Sequence, residues 1–449
     1  MICLKNSISL NYALILSFLL IFGYAFVGLS RPIYASFYIP IFSAFLVICV
    51  IAKRVFASTS RDKLKKSQMH GTTSELRLAV FLYSVFLLVL IWQIFAQIFG
   101  ILITGGLRHV GFVGYNLDVS ILVAIFNMIL IFAGFHFLSS QYVFAQFLRY
   151  YFLMLTLFWH LSFLTWNIED NAALFYYSEW ARGYFSGALI NANHASFISL
   201  LCFCYFSISA ASNYQIRKTV EKQNFSKSWY VFCLFQIAIF TYYIVIANSL
   251  TVYLLFLFAI VMIGIWITRF FKFKYVLIYI VIFCVVSLLL YSFVVIFYDF
   301  EAIKDVSFKD RQIILIEAVR LVLERILFGY GTGSQYLALL QRSPDAIPEF
   351  VFLSSHNYIV DFGIQYGGIG LFVALVGLFV LPLRILYIKS KKNDADRELV
   401  LFIFLTIVLT FLFSLVEFIF FIPAFSMFVC FLIGGLYRLH EKTRIQSKF

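Results

Sequence analysis

Charge is scarce in this sequence. Asp, Glu, Lys and Arg together make up 12% of its 449 residues, and 63% are hydrophobic. A soluble domain carries roughly a quarter charged residues, so an ordinary soluble domain is excluded. The seven cysteines (Cys3, Cys49, Cys202, Cys204, Cys233, Cys284 and Cys430) form no paired framework. Most stand inside apolar runs and read as small packing residues. Cys202-Phe-Cys204 lacks the spacing and His partners of a metal site. No His/Cys/Asp cluster elsewhere has metal-binding spacing, so neither a metal nor another cofactor is expected. Internal repeats, low-complexity linkers and a cleavable signal peptide are also missing, the first apolar run being long enough to span a bilayer. Gly329-x-Gly331-x-Gly333 is not a nucleotide loop, because no strand precedes it.

Long apolar runs are what the chain has instead. A transmembrane helix needs about 20 apolar residues, and backbone groups in lipid leave only helices as open spanning elements. The expectation is an all-α, polytopic membrane protein: one integral domain over residues 1–449 with twelve spans. These fall at 10–29, 33–52, 78–104, 117–138, 146–166, 189–211, 229–248, 250–268, 275–298, 360–383, 399–417 and 419–437. Lys and Arg accumulate on the cytoplasmic side of membrane proteins. With the N-terminus inside, 25 of the 34 basic residues fall in inside segments; the reverse orientation puts them outside. Both termini are then cytoplasmic. The net charge of +13 becomes a topology signal and an attraction for anionic membrane lipids, not a nucleic-acid footprint. Asp394-Ala-Asp396 lies in a basic inside connector and reads as solvated.

The organising feature is the polar stretch 299–356, a large outer loop between two apolar runs. Six basic residues there face eight acidic ones. Lys309 to Phe328 has helical periodicity, with Ile313, Ile316, Val319 (or Arg320) and Leu323 at helix spacing and Arg311 near its start. Gly329 ends it, and Gly329-Tyr330-Gly331-Thr332-Gly333 reads as a flexible turn. Tyr336 to Leu340 reads as a second short helix, and Pro344 and Pro348 flank an irregular segment.

Three residues on this side invite chemistry, and each also has a plain structural reading. His356 stands at the mouth of span ten, followed by Asn357. It is either a general base or a helix-end cap. Arg311 opens an apolar-faced helix, where a guanidinium either meets a membrane-bound diphosphate or snorkels. Arg182 precedes a glycine-broken, polar start to span six, Gly183 to His194. There Asn191, Asn193 and His194 line a cavity or cap the helix. Glu417, at the outer end of span eleven, either partners one of these arginines or sits at the water line. Arg320 pairs with Glu317 or Glu324 at helix spacing, and Arg325 sits in Glu324's neighbourhood; both read as structural.

Three patterns together resemble the O-antigen ligase and O-antigen polymerase superfamily of bacterial inner membranes: Arg182-Gly…Gly187…Asn191-Ala-Asn193; Asp310-Arg311 opening a helix that ends in Gly329-Tyr-Gly331-Thr-Gly333; and Ser355-His356-Asn357-Tyr…Gly363…Tyr366-Gly-Gly-Ile-Gly370. The motif-bearing part is about 180–370, and the rest matches only in topology. The resemblance implies inverting, metal-independent transfer of a glycan from undecaprenyl diphosphate to an acceptor sugar hydroxyl at the periplasmic face. By the same resemblance Arg182 and Arg311 bind the diphosphate and His356 deprotonates the acceptor, with Asn191, Asn193, Asn357 and Glu417 in support. The acceptor is lipid A–core for a ligase, a second lipid-linked repeat unit for a polymerase, or a protein in a third variant. Many relatives carry a Ser-Arg pair between spans seven and eight. Here the turn reads Ala247-Asn248-Ser249-Leu250-Thr251, which leaves ligase and polymerase both open.

A lipid-linked glycan transporter or flippase is the rival from another class. Twelve spans and a basic inner face suit it equally. Transporters, however, place ionisable groups and broken helices near the midplane of repeated halves, whereas here the charges that need explaining gather at the outer surface.

Overall fold

The computed structural model describes residues 74–104, 124–125, 127–138, 140–166, 172–173, 176–177, 184–186, 189, 191–219, 226–267, 301–331, 334–335, 338–339, 355–390, 397–417, 420 and 423–446. Side chains are described except in the hairpin residues 172–173 and 176–177 and in the helical stretches 94–104, 214–219, 301–312, 423–424 and 442–446.

The described chain is helical: α1 Ser74–Thr104, α2 Gln141–Leu164, α3 Ala192–Thr219, α4 Lys227–Ala247, α5 Leu250–Ile267, α6 Glu301–Glu324, α7 Tyr358–Leu375, α8 Leu381–Ser390, α9 Arg397–Ser414 and α10 Pro423–Gln446. A π-helical turn, Val376–Val380, joins α7 to α8. A two-residue hairpin, Ala172–Ala173 against Tyr176–Tyr177, is the only β-ladder among the described residues. Seven stretches of these helices are long and apolar enough to cross a membrane, which makes this a multi-pass membrane protein. They answer the spans expected near 78–104, 146–166, 189–211, 229–248, 250–268, 360–383 and 399–417. The spans expected at 10–29, 33–52 and 275–298 lie outside the described residues. Where 117–138 was expected, a shorter apolar helix runs Asn127–Phe137, and α10 (Pro423–Gln446) overlaps the span expected at 419–437 without being one of the seven.

Local chemistry sets the helix ends. Ser140 caps α2 by accepting the Val143 N–H (3.3 Å), and Ser226 caps α4 by accepting the Trp229 N–H (3.2 Å), each satisfying a donor the helix leaves over. Asn248 closes α4 in the left-handed region (φ 50°) and returns its N–H to Val245. Asn tolerates that conformation, so Ala247-Asn248-Ser249 reverses the chain in the fewest residues.

α3 is the axis. Every residue from His194 to Phe206 is buried, as an all-round apolar helix must be, and α4, α5 and α9 pack on it. Phe152 stacks on Tyr205 at 4.4 Å and Phe197 on Phe413 at 4.3 Å. The outward faces of α1 (Phe81, Leu88, Trp92) and α4 (Val231, Phe235, Val245) are exposed and apolar, as lipid-facing surfaces require.

α6 buries a second apolar stripe beside the one read from spacing. Ile314, Ala318 and Leu321 pack against Ala338, Leu339 and Ile364. Ile313, Ile316, Val319 and Leu323, the stripe read from the sequence, are exposed. The helix is apolar on two sides, and periodicity alone cannot rank two stripes.

Candidate functional site

The starts of α3 and α7 meet the end of α9 at one end of the bundle. At the start of α3 the Asn191 side chain accepts the Asn193 N–H (2.8 Å), and its carbonyl accepts the N–H groups of His194 (3.1 Å) and Ala195 (3.2 Å). That cap projects Asn193 and His194 from the first turn. At the start of α7 the Asn357 side chain accepts from Ile359 and Val360, both at 3.1 Å. Ser355 Oγ accepts the Asn357 N–H (3.3 Å), and the Ser355 N–H donates to the fully buried Asp361 carboxylate (2.8 Å). With both neighbours fixed, His356 between them is held at φ 57°, a region non-glycine residues rarely enter. At the end of α9 the chain tightens, with Val416 and Glu417 both donating to the Phe413 carbonyl, and this turns the Glu417 side chain back toward α3.

Three side chains converge on the Glu417 carboxylate. Asn193 Nδ2 donates to Oε1 at 2.6 Å. His194 Nε2 lies 3.7 Å from Oε2, and His356 Nδ1 lies 3.8 Å from the same oxygen. The ring of Phe413 stands beside His194, and Phe420 lies against Tyr358, so the polar cluster rests on an aromatic floor. The side chains of Glu417 and His194 are 2% and 3% exposed; that of His356 is 17% exposed. Burial alone would push the Glu417 carboxyl up. The facing imidazoles of His194 and His356 outweigh it and hold the carboxyl well below the usual carboxylate range. The start of α3 adds its own favourable field, since helix N-termini carry partial positive charge.

Chemically this is an oriented imidazole. A carboxylate facing Nδ1 favours the tautomer that leaves Nε2 as the acceptor, and a base oriented by a third group is the recurring arrangement for activating a hydroxyl. His356 is the imidazole with access to solvent.

The second feature is a clasp under the site. α7 breaks at Gly367 (φ 65°, ψ −171°). The segment after α6 fills the break backbone to backbone. Tyr330 N–H donates to the Ile364 carbonyl (2.7 Å) and Gly331 N–H to Gln365 (3.0 Å). In return Gly368 N–H donates to Ile326 (2.5 Å) and Ile369 N–H to Leu327 (3.4 Å). Gln93 of α1 ties both strands of the clasp, donating to the carbonyls of Phe328 (3.1 Å) and Gln365 (2.8 Å). The glycine-rich run read as a flexible turn is therefore a fixed joint over residues 329–331. Gly329 sits at φ 70°, where a Cβ would strike the Gln365 carbonyl.

The structure thus brings together His356, Asn357, Asn191, Asn193 and Glu417. Glu417, expected beside an arginine or at the water line, is buried between two imidazoles and an amide. Arg182 lies outside the described residues. Arg311 lies on α6, and its side chain is likewise outside them. Arg320 pairs with Glu317 at 2.5 Å, and Arg325 stacks over Tyr330, whose hydroxyl donates to Glu324 (2.9 Å); both act structurally. Sequence reasoning missed the joint hold of His194 and His356 on Glu417, and missed Asp361. The available signal was an ionisable residue at each of three apolar helix ends.

Residues 235–375 match the family model of the O-antigen ligases. The match runs from within α4 to the end of α7 and includes Arg311, the clasp, His356 and Asn357. It shows, for that part of the chain, the O-antigen ligase and polymerase superfamily indicated by the motifs. Arg182, Asn191, Asn193, His194 and Glu417 lie outside the matched stretch, and the fold delivers the last four to His356. A search of curated proteins gives no match.

Proposed function

With O-antigen ligase character over residues 235–375 as premise, we propose that the chain transfers a glycan from undecaprenyl diphosphate to an acceptor sugar hydroxyl. The transfer takes place at the periplasmic face of the bacterial inner membrane, with both termini in the cytoplasm. The observation that carries this reading is the partly exposed imidazole of His356, whose Nδ1 faces the buried Glu417 carboxylate at 3.8 Å.

The step follows from that geometry. His356 Nε2 takes the proton of the acceptor hydroxyl. The acceptor oxygen bonds to the anomeric carbon from the face opposite the diphosphate, and the bond from that carbon to the diphosphate oxygen breaks. Its electron pair stays on the leaving diphosphate, so the configuration inverts. Imidazolium formed on His356 faces Glu417 and is stabilised there. Arg182 and Arg311 neutralise the leaving group, and two guanidiniums do for a diphosphate what a metal does elsewhere. A positioned base contributes roughly 10²–10⁴-fold and a fixed charge on the leaving group roughly 10²–10³-fold.

The acceptor is lipid A–core if the chain is a ligase and a lipid-linked repeat unit if it is a polymerase. The test is a gel profile of surface glycan from a strain deleted for the gene, complemented with wild type or His356→Ala. A polymerase deletion leaves core carrying at most one repeat unit. A ligase deletion leaves bare core with long chains on undecaprenyl diphosphate. In either case His356→Ala reaches the membrane and does not complement. An unchanged glycan profile in the deletion strain removes the transferase reading, and the break in α7 then favours transport.

A further inference from the structure

Of the two imidazoles on Glu417, only one is placed to touch a substrate. His194 is buried on every side, one residue from Asn193 and against Phe413. A packing histidine would account for its burial. It would not account for the placement of its Nε2 within ion-pair reach of the one Glu417 oxygen that also faces His356.

We infer that His194 is a positioning residue: with Asn193 it fixes the Glu417 carboxylate in the orientation that aims His356. This rests on His356 being the base proposed above. Glutamate reaches its carboxylate through three rotatable bonds, and Glu417 follows the last turn of α9, where only its backbone is held by the helix. Asn193 anchors Oε1 with a short, charge-assisted bond. One anchored oxygen still lets the carboxylate plane swing about that contact. His194, on the second oxygen, removes the swing. Residues 193 and 194 are adjacent on a capped first turn, so the two anchors move as one body. His356 Nδ1 then meets an oxygen at a set position, and its Nε2 is aimed by way of the ring. The other charged group near α7's start, Asp361, is spent on the Ser355 N–H and holds the backbone of the same loop. The array is thus two groups longer than a base with a single orienting acid: His356, Glu417, then an amide and a second imidazole from α3.

The test uses purified full-length protein added to membranes of the deletion strain, which supply lipid-linked donor and acceptor together. Initial rates against membrane amount give kcat and KM. His194→Phe keeps the ring and loses the N–H; His194→Gln keeps an N–H donor and loses the ring. Outer partners that orient a functional imidazole are worth roughly 10- to 100-fold. His194→Phe is therefore expected to lower kcat by about that factor with KM unchanged, and His194→Gln to recover most of it. A wild-type kcat in His194→Phe, or a His194→Gln variant as slow as His194→Phe, overturns the inference. Should His194→Phe not fold, the cycle of His194→Ala with Glu417→Gln decides. The loss from His194→Ala disappears in the Glu417→Gln background if His194 acts through the carboxylate, and additive losses overturn it. His356→Ala runs alongside. Transfer by wild type and none by His356→Ala keeps the transferase reading whatever His194 does; no transfer by wild type removes that reading and the role of His194 with it.

Discussion

A methyl group at Gly367 has no room and no allowed backbone. Gly367 sits at φ 65° and ψ −171° in the middle of α7, a region that is essentially glycine's own and costs other residues about 1–3 kcal/mol. A Cβ there would collide with the Leu327 carbonyl and approach Phe328 N to 2.5 Å. These are backbone atoms and cannot turn aside. Relief means opening the clasp, and the nearest bonds to go are Gly368 N–H to Ile326 and Ile369 N–H to Leu327. Each buried backbone bond left unmade costs roughly 1–3 kcal/mol. Gly367→Ala is thus expected to cost about 3–9 kcal/mol, a large part of the roughly 5–15 kcal/mol that holds a typical domain together. Gly264 is the matched control. It lies in α5, and a Cβ on it meets nothing within 4 Å, so Gly264→Ala should gain about 0.5–1 kcal/mol from helix propensity. The assay is thermal unfolding of detergent-purified protein followed by size-exclusion fluorescence. Gly367→Ala should melt well below wild type or aggregate, with Gly264→Ala at or above wild type. A Gly367→Ala variant that melts with wild type would refute the clasp.

Arg311→Lys should lose most transfer, because lysine lacks the bidentate fork that matches a diphosphate; full activity in the membrane transfer assay would reduce Arg311 to a surface charge. Glu417→Gln should show a pH-dependent stability deficit. The folded carboxyl lies below its ordinary value of 4.5, so its stabilisation is whole above that value and is lost as pH falls through the folded value. The gap in melting midpoint between wild type and Glu417→Gln should be widest above about pH 5 and close on acidification; a gap that widens toward acid sinks the assignment. Asp394→Cys, in a background with the seven native cysteines replaced, should react with a membrane-impermeant thiol reagent only after the cytoplasmic face is opened. Labelling of intact spheroplasts would invert the topology and move His356 to the cytoplasmic side.

Much of this was legible because it is local. Apolar runs matched the seven spans the structure describes, Asn191 was legible as a candidate helix cap, and the helix read over 309–328 is there, though it runs Glu301–Glu324 and so starts well before Arg311 and stops short of Gly329. The site was legible as a set of residue types at helix ends, but not as contacts. Asn193 and Glu417 stand 224 residues apart, and no periodicity links them. The glycine-rich run misled for a related reason. Gly329 and Gly331 permit a turn, and the sequence does not say that the turn's N–H groups will meet carbonyls freed by a break at Gly367. The spacing on α6 left its buried face open because Ile314, Ala318 and Leu321 recur at helix spacing too, and the partner, Ile364 of α7, decides which stripe is covered.

Stability does not explain the cluster around Glu417. Buried ionic groups are commonly no better for a fold than well-packed apolar side chains of the same volume, while their burial costs several kcal/mol per ion before any pairing is counted. The surroundings here could take such side chains: Phe197, Phe413, Phe420 and Phe425 already fill the floor. Three helix ends nonetheless spend polar groups on one carboxylate, and the loop before α7 accepts a left-handed His356 to reach it. Both costs are met at one end of the bundle and on one carboxylate. An arrangement that orients a partly exposed imidazole at the expense of packing fits the general-base role proposed for His356.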